Sequence, residues 1–102
     1  MAKHVREIGP GGVEGYLRER VTATGGMCEK HVSPGRKGVP DDLVTWPGGV
    51  MDLVETKAPD GALSGAQTRD HDRRRGYGVE VIVLWTKAHV DAYVAWRSRR
   101  GS

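Results

Sequence analysis

The sequence predicts a single α/β domain in which a mixed sheet is flanked by helices. Three observations favour this fold. The segment Val79 to Trp85 is almost entirely apolar or β-branched, as expected of a strand that is buried on both faces. Two further strand-like segments meet at Pro47-Gly48-Gly49, a sequence typical of a hairpin turn. Helical patterns precede, separate and follow the strands, and a chain of 102 residues is sufficient for one domain, residues 1–102.

The N-terminal half is predicted to contain one helix and two strands. Apolar residues recur at helical spacing across residues 13–23, and Gly25-Gly26 ends this helix. A short strand is expected over residues 27–32. The segment 33–40 contains two Pro and two Gly, which predicts a loop, and it leads into a strand over residues 42–46.

The C-terminal half completes the order αβββαβα. The second strand of the hairpin is expected over residues 50–57. A helix over residues 64–75 begins with Ser64 and Gln67 at the spacing of a capping box. A last helix, over residues 87–97, follows the buried strand. We expect an ordered core over about residues 11–98, with mobile ends at residues 1–10 and 99–102.

The composition excludes several classes of protein. The 16 Lys and Arg against 13 Asp and Glu give a formal charge of +3, which permits a nucleic-acid partner. The single cysteine excludes a disulfide scaffold and a cysteine-based zinc site. No apolar segment is long enough to span a membrane, and residues 1–10 lack the apolar core of a signal peptide. We therefore expect an intracellular, cytoplasmic protein.

Two carboxylates are predicted to converge at one edge of the sheet. Asp41 lies at the start of one hairpin strand and Glu55 near the end of the other, so the two ends are neighbours. Lys57 shares the strand face of Glu55, because strand side chains alternate. Such an oxygen-rich site suits Mg²⁺ or Mn²⁺. Taken alone, each part also has an ordinary explanation, Asp41 as a turn residue and Glu55-x-Lys57 as a solvated face.

Two helical residues are candidate additions to this site. Glu14 borders the apolar stripe of the first helix, where a carboxylate is costly unless it is paired or bound to a metal. It could equally be an ordinary residue at the edge of that stripe. Gln67 could lie beside the metal site or serve only as the capping partner of Ser64. His71, next to Asp72, is interpreted as a surface residue.

Basic residues near these candidates could bind phosphate groups. They are Lys30, Arg36, Lys37, Arg73, Arg74 and Arg75. For the first three, a solvated loop is an alternative explanation. The last three could simply be solvated residues at the C-terminal end of a helix, where the helix dipole favours positive charge.

The run SPGRKGVPDDLVTWPGGVMDLVETKAPDGALSGAQ resembles the VRR-NUC family of virus-type replication-repair nucleases, particularly its stand-alone bacteriophage members. The resemblance extends from Glu14 to about Val83. Its most specific feature is the ordered set Glu14, Gly38-Val39-Pro40-Asp41, Glu55-x-Lys57 and Gln67. The motif position after proline is Asp41, which leaves Asp42 as an outward-facing strand residue.

The resemblance implies a restriction-endonuclease-like core and a PD-(D/E)xK metal site. It implies that Asp41, Glu55 and Glu14 bind Mg²⁺ or Mn²⁺, with Lys57 and Gln67 as further catalytic residues. It also implies a phage- or prophage-encoded homodimer that cleaves four-way (Holliday) DNA junctions in the bacterial cytoplasm. The larger Fanconi-associated relative carries extra domains and cuts flaps. A flap or nicking nuclease of the same fold is therefore the alternative enzyme, and a non-catalytic basic DNA-binding protein is the alternative of another class.

Overall fold

The computed structural model describes residues 12–100 and confirms the predicted order αβββαβα. The elements are α1 (Val13–Ala23), β1 (Met27–Lys30), β2 (Asp42–Thr45), β3 (Met51–Thr56), α2 (Gly65–Gly76), β4 (Val81–Leu84) and α3 (Lys87–Arg100). The expected mobility of residues 1–10 concerns a segment outside the described residues. Helix α3 continues to Arg100, two residues past the expected end of the core at residue 98, and residues 101–102 lie outside the described residues.

The hairpin formed by β2 and β3 supplies the two central strands of the sheet. Its strand order is β1-β2-β3-β4, with antiparallel pairing among the first three strands and parallel pairing between β3 and β4. The turn between β2 and β3 depends on Gly48 and Gly49, which adopt φ values of 94° and 88°. These left-handed conformations suit glycine, because it has no Cβ atom to clash with the backbone.

The apolar core lies between the sheet and the helices α1 and α3. Val13, Leu17 and Val21 form the buried stripe of α1, as the helical spacing predicts. They belong to one cluster with Val54 of β3 and with Val90 of α3. Burial of this apolar stripe therefore fixes α1 on the face of the sheet that carries Val54.

A buried polar network attaches the end of α3 to the same side of β3. The Asp52 carboxylate, 1% exposed, accepts a hydrogen bond from Arg97 Nε at 2.8 Å and one from the Tyr93 hydroxyl. The indole N–H of Trp46 donates to the Tyr93 hydroxyl at 3.0 Å and to Asp52 at 3.3 Å. A buried carboxylate is tolerated when it is paired and hydrogen-bonded in this way.

The prediction that the last strand is buried on both faces is wrong. Strand β4 begins only at Val81, and Val79 is 38% exposed. Ile82 and Val83 are only partly buried. The physical reason is the strand order: among the strands of residues 12–100, β4 pairs with β3 alone and forms an edge of the sheet. Within residues 12–100, no helix has the length and apolar character needed to cross a membrane.

Candidate active site

The candidate site is centred on Glu55 of β3. Its side chain is almost completely buried, with 1% of the residue exposed. Gln67, on α2, donates a hydrogen bond from Nε2 to Glu55 Oε2 at 3.2 Å. His71, one helical turn further along α2, places Nε2 3.7 Å from Glu55 Oε1. Helix α2 therefore covers the Glu55 carboxylate with two polar side chains from one helical face.

Gln67 combines the two roles that the sequence presented as alternatives. Its backbone N–H donates to Ser64 Oγ at 3.1 Å, and its Oε1 accepts from the Ser64 backbone N–H at 2.8 Å. The capping box is therefore complete. Since the amide oxygen serves the cap, the amide nitrogen remains available to Glu55, and one side chain does both.

Asp41 is brought opposite Glu55 by the register of the hairpin. Asp42 is paired with Val54, so one step further along this antiparallel ladder Asp41 faces Glu55. The backbone of Asp41 continues the line of β2, because its carbonyl accepts the His31 N–H at 2.7 Å. By this register positions 41 and 55 are neighbours on adjacent strands, and the convergence of their carboxylates on one cation stays a prediction.

Lys57 follows Glu55 on the same side of the chain. Its backbone N–H donates to the Leu84 carbonyl at 2.9 Å, which continues the ladder between β3 and β4 beyond Thr56. Strand alternation then directs Lys57 and Glu55 to one face. Lys57 is half-buried, so the rim of the site carries a cation.

The interpretation of His71 as a surface residue is wrong. The residue is 0% exposed, and neither ring nitrogen has a hydrogen-bond partner among the described residues. Burial lowers the pKa of His71, and the positive charge of Arg75 lowers it further. Burial thus favours the neutral form of the imidazole beside Glu55. The sequence could have indicated the position of His71, because it follows Gln67 by four residues and therefore lies on the same face of the helix.

Glu14 lies in a second cluster, formed with Lys30 and Asp42, on the other face of the sheet. Glu14 Oε2 accepts a hydrogen bond from Lys30 Nζ at 2.7 Å. Asp42 is 0% exposed, so its assignment as an outward-facing residue is wrong. It pairs with Val54, and Val54 and Glu55 alternate to opposite faces. The structure therefore engages Glu14 with Lys30 and Asp42 rather than bringing it to Glu55 as a third ligand.

The two carboxyl groups of this second cluster have opposite pKa shifts. Burial, a hydrogen bond to Glu14 and the charge of Glu14 raise the pKa of Asp42 to about 8. Burial acts in the same direction on Glu14, but hydrogen bonds with Asp42 and Lys30 outweigh it and lower the pKa of Glu14. The cluster therefore favours a proton on Asp42 and the charged form of Glu14, the partner of Lys30.

Comparisons with known proteins identify the family of the chain. The chain is 44% identical over 80 residues to "Putative nuclease p44" of Acyrthosiphon pisum secondary endosymbiont phage 1, covering 78% of this chain and 86% of that protein. It also superimposes on a solved structure described as "VRR_NUC domain" with a TM-score of 0.76 and 37% identity, covering 81% of this chain and 90% of the other. The chain belongs to the VRR-NUC family. A scan against models of protein families gives no match.

Asp41 and Glu55, opposite each other by register, have the carboxylate chemistry that a magnesium-type cation prefers. Mg²⁺ is commonly held by one or two carboxylates and completes its shell with waters and substrate phosphates. Asp41 and Glu55 supply such a pair, and the buried position of Glu55 leaves it shielded from bulk water. Among residues 12–100, no three Asp, Glu, His or Cys side chains converge as they would in a structural zinc site.

A loop next to the VRR-NUC site is pressed against the start of α2. Gly38 adopts φ +80°, and a Cβ atom there would lie 2.4 Å from the Ala66 carbonyl oxygen. This close approach lets Arg36 reach across to Asp70, with Nη2 3.2 Å from Oδ1. Between the loop and α2 lies an open cavity of about 340 Å³, lined mainly by Arg36, Lys37, Arg69 and Arg73.

The predicted DNA-binding residues therefore differ in their availability. Arg36, Lys37 and Arg73 line the cavity, although Arg36 is also paired with Asp70, and Lys30 is paired with Glu14. Arg74 Nε donates to Asp70 at 2.7 Å and Arg75 Nη2 to the Val81 carbonyl at 2.8 Å, so both hold the fold together. Arg69, which the sequence analysis did not select, joins the cavity. The sequence could have indicated Arg69 through its spacing, because residues 69 and 73 lie on one face of α2.

Proposed function

We propose that this VRR-NUC protein is a metal-dependent endonuclease that hydrolyses phosphodiester bonds in branched DNA. The observation that carries the proposal is the buried Glu55 carboxylate, held by Gln67, opposite Asp41 and followed by Lys57. The match to a phage protein named as a nuclease supports it, and that relative also favours action in the cytoplasm of a bacterial host.

Asp41 and Glu55 are the proposed ligands of Mg²⁺ or Mn²⁺. When bound, the cation offsets the charge of the scissile phosphate and lowers the pKa of a water molecule. Gln67 holds Glu55 in one orientation through its Nε2 hydrogen bond. Such hydrogen bonds to ligating carboxylates commonly set metal affinity.

Lys57 is proposed to act on the substrate rather than on the metal. Its ammonium group lies on the same face as Glu55 and can donate to a phosphate oxygen or orient the attacking water. Glu14 is proposed to contribute indirectly. Its short ion pair holds Lys30 beside the Asp41 end of β2. Glu14 is thus a positioning residue in our proposal.

The proposed substrate is a four-way junction cut by a homodimer. A domain this small has little surface for a branched substrate, so two copies are a direct way to span one. A two-fold symmetric dimer would present paired sites to two strands of a junction with the same symmetry. Selectivity would depend on DNA shape, because the sequence contains no module that reads bases.

The decisive experiment compares substrates and cations together. Labelled four-way, flap, nicked and linear DNA are incubated with the protein in the presence of Mg²⁺ or Mn²⁺ and in EDTA. We expect metal-dependent cutting that is fastest on the four-way junction, and light scattering should give the mass of a dimer. Preferential cutting of flaps or nicks would support the alternative nuclease.

A matched variant separates the enzyme from a DNA-binding protein. Glu55→Gln preserves the volume of the side chain and removes its charge. We expect it to abolish cleavage while retaining most of the DNA affinity. Binding without any metal-dependent cleavage by the unmodified chain would instead identify a non-catalytic DNA-binding protein.

A further inference from the structure

The exposed end of α2 carries an apolar surface in an otherwise basic groove. Tyr77 is 83% exposed and Val79 38% exposed, and both line a second cavity of about 410 Å³. Arg36, Arg73 and Arg74 complete its lining. Large exposed aromatic side chains in a basic setting are typical of surfaces that bind single-stranded nucleic acid.

The two cavities are neighbours along α2. They share Arg36 and Arg73. Ala66, beside Gln67, lies in the first cavity, and Tyr77 lies in the second. Along α2 these two positions are about 16 Å apart, at the rise of an α-helix. Residues 66, 69, 73 and 77 recur on one helical face, so the groove follows the helix.

The charges along the groove match a phosphate backbone. Arg36, Lys37, Arg69 and Arg73 supply four cations to the first cavity. Asp70, the one acid among the described residues that line this cavity, is already paired with Arg36 at 3.2 Å and with Arg74 at 2.7 Å. A phosphate therefore meets net positive charge, whereas the Tyr77 ring offers a face to a planar base.

We propose that this groove is a site for an unstacked nucleotide of branched DNA, with Tyr77 as the stacking platform for its base. Arg36 and Arg73 hold the adjoining phosphates, and the strand continues past Ala66 towards Glu55. In a single strand a base face is free for stacking, and at the open centre of a junction each flanking base pair lacks a neighbour on one side, whereas in linear duplex every base remains between its neighbours. The groove thus supplies a physical basis for substrate choice, and this inference rests on the proposed nuclease function.

The test measures binding in EDTA, so that no cleavage occurs. Fluorescence anisotropy compares a labelled four-way junction, a single strand and a linear duplex of matched sequence. We expect Tyr77→Ala to weaken binding of the junction and of the single strand by about tenfold, with duplex affinity changed less than twofold. Tyr77→Phe should bind like the unmodified chain, since it keeps the ring. Met51→Ala, at a 54% exposed position in the hairpin, is the control and should change nothing.

Two results would overturn the platform: equal weakening on all three DNAs, or no weakening on any. Its failure is distinguishable from failure of the nuclease proposal. If the unmodified chain cleaves junctions and Tyr77→Ala binds them normally, only the platform is lost. If the unmodified chain never cleaves DNA but Tyr77→Ala selectively weakens the binding of branched DNA, the stacking role of Tyr77 is supported and the nuclease proposal is refuted.

Discussion

Gln67 Nε2 lies 3.2 Å from Glu55 Oε2 while Gln67 Oε1 accepts the Ser64 backbone N–H at 2.8 Å. The hydrogen bond that begins α2 and the one that holds the central carboxylate thus share a single amide group. The position of the helix and the orientation of Glu55 cannot vary independently.

This shared amide separates the effects of two variants. Ser64→Ala removes one half of the cap and should cost about 1 kcal/mol of stability. Gln67→Ala removes the other half at a similar cost and also releases Glu55. We expect the Gln67 variant to lose cleavage at least tenfold more than the Ser64 variant, measured on folded protein well below both melting temperatures. Equal activity of the two variants would show that Gln67 contributes to cleavage only through the helix cap.

Lys57→Ala should separate catalysis from metal binding. The side chain faces the same way as Glu55 but is not proposed as a ligand, so Mn²⁺ affinity by calorimetry should stay within a few-fold. Loss of one preorganised positive group at a reacting phosphate typically lowers turnover by about 10²–10³-fold. Near-normal turnover in this variant, or loss of Mn²⁺ binding, would contradict the assigned role.

Gly38 should be far less tolerant of substitution than Gly35. Both have positive φ, +80° and +82°, so alanine brings similar backbone strain at either position, about 1–2 kcal/mol. At Gly38 the new Cβ atom would meet the backbone oxygen of Ala66 at 2.4 Å, whereas at Gly35 no non-neighbouring atom of the described part of the chain lies within 4 Å. Chemical denaturation should show Gly38→Ala as the less stable variant, with weaker DNA binding as Arg36 moves. Similar losses in both would show that the loop can retreat from α2.

Asp70→Asn should destabilise the protein in a pH-dependent way. Burial opposes ionisation of Asp70, but hydrogen bonds from Arg74 and Arg36 outweigh it and lower its pKa below the ordinary 3.8. The stabilisation is therefore fully present above pH 3.8 and is lost as the pH falls through the folded-state value. We expect a deficit of about 1 kcal/mol at pH 7, because both arginines are partly exposed. In urea titrations this deficit should shrink towards pH 3, and a constant difference would contradict the ion-pair explanation.

The sequence predicted the elements well because their ends are marked locally. Gly25-Gly26, the Ser64 cap and the Pro47-Gly48-Gly49 turn each act within a few residues of the chain. The errors concern neighbours that are distant in sequence. Burial of Val79 depends on which strand lies at the edge. Asp42 is buried because α1 brings Glu14 to it, and His71 is buried because α2 lies over Glu55.

The candidate site was predictable to a similar extent. The hairpin alone indicates that Asp41 and Glu55 are neighbours, since register follows from the turn. The approach of Gln67 to Glu55 came from the family resemblance, because no spacing relates a helix to a strand before it. The contribution of Arg69 depends on the loop that Gly38 presses onto α2, which is a tertiary contact.

Arg75 covers part of the exposed edge of the sheet, which bears on association between molecules at high protein concentration. The Glu80 carbonyl accepts the Leu53 N–H of β3, so by strand alternation the Val81 carbonyl points outward from the sheet edge. Arg75 Nη2 donates to that carbonyl at 2.8 Å and covers it with a charged group. Exposed strand edges invite pairing between molecules. A residue that the sequence suggested for DNA binding thus helps to keep the nuclease from aggregating through β4.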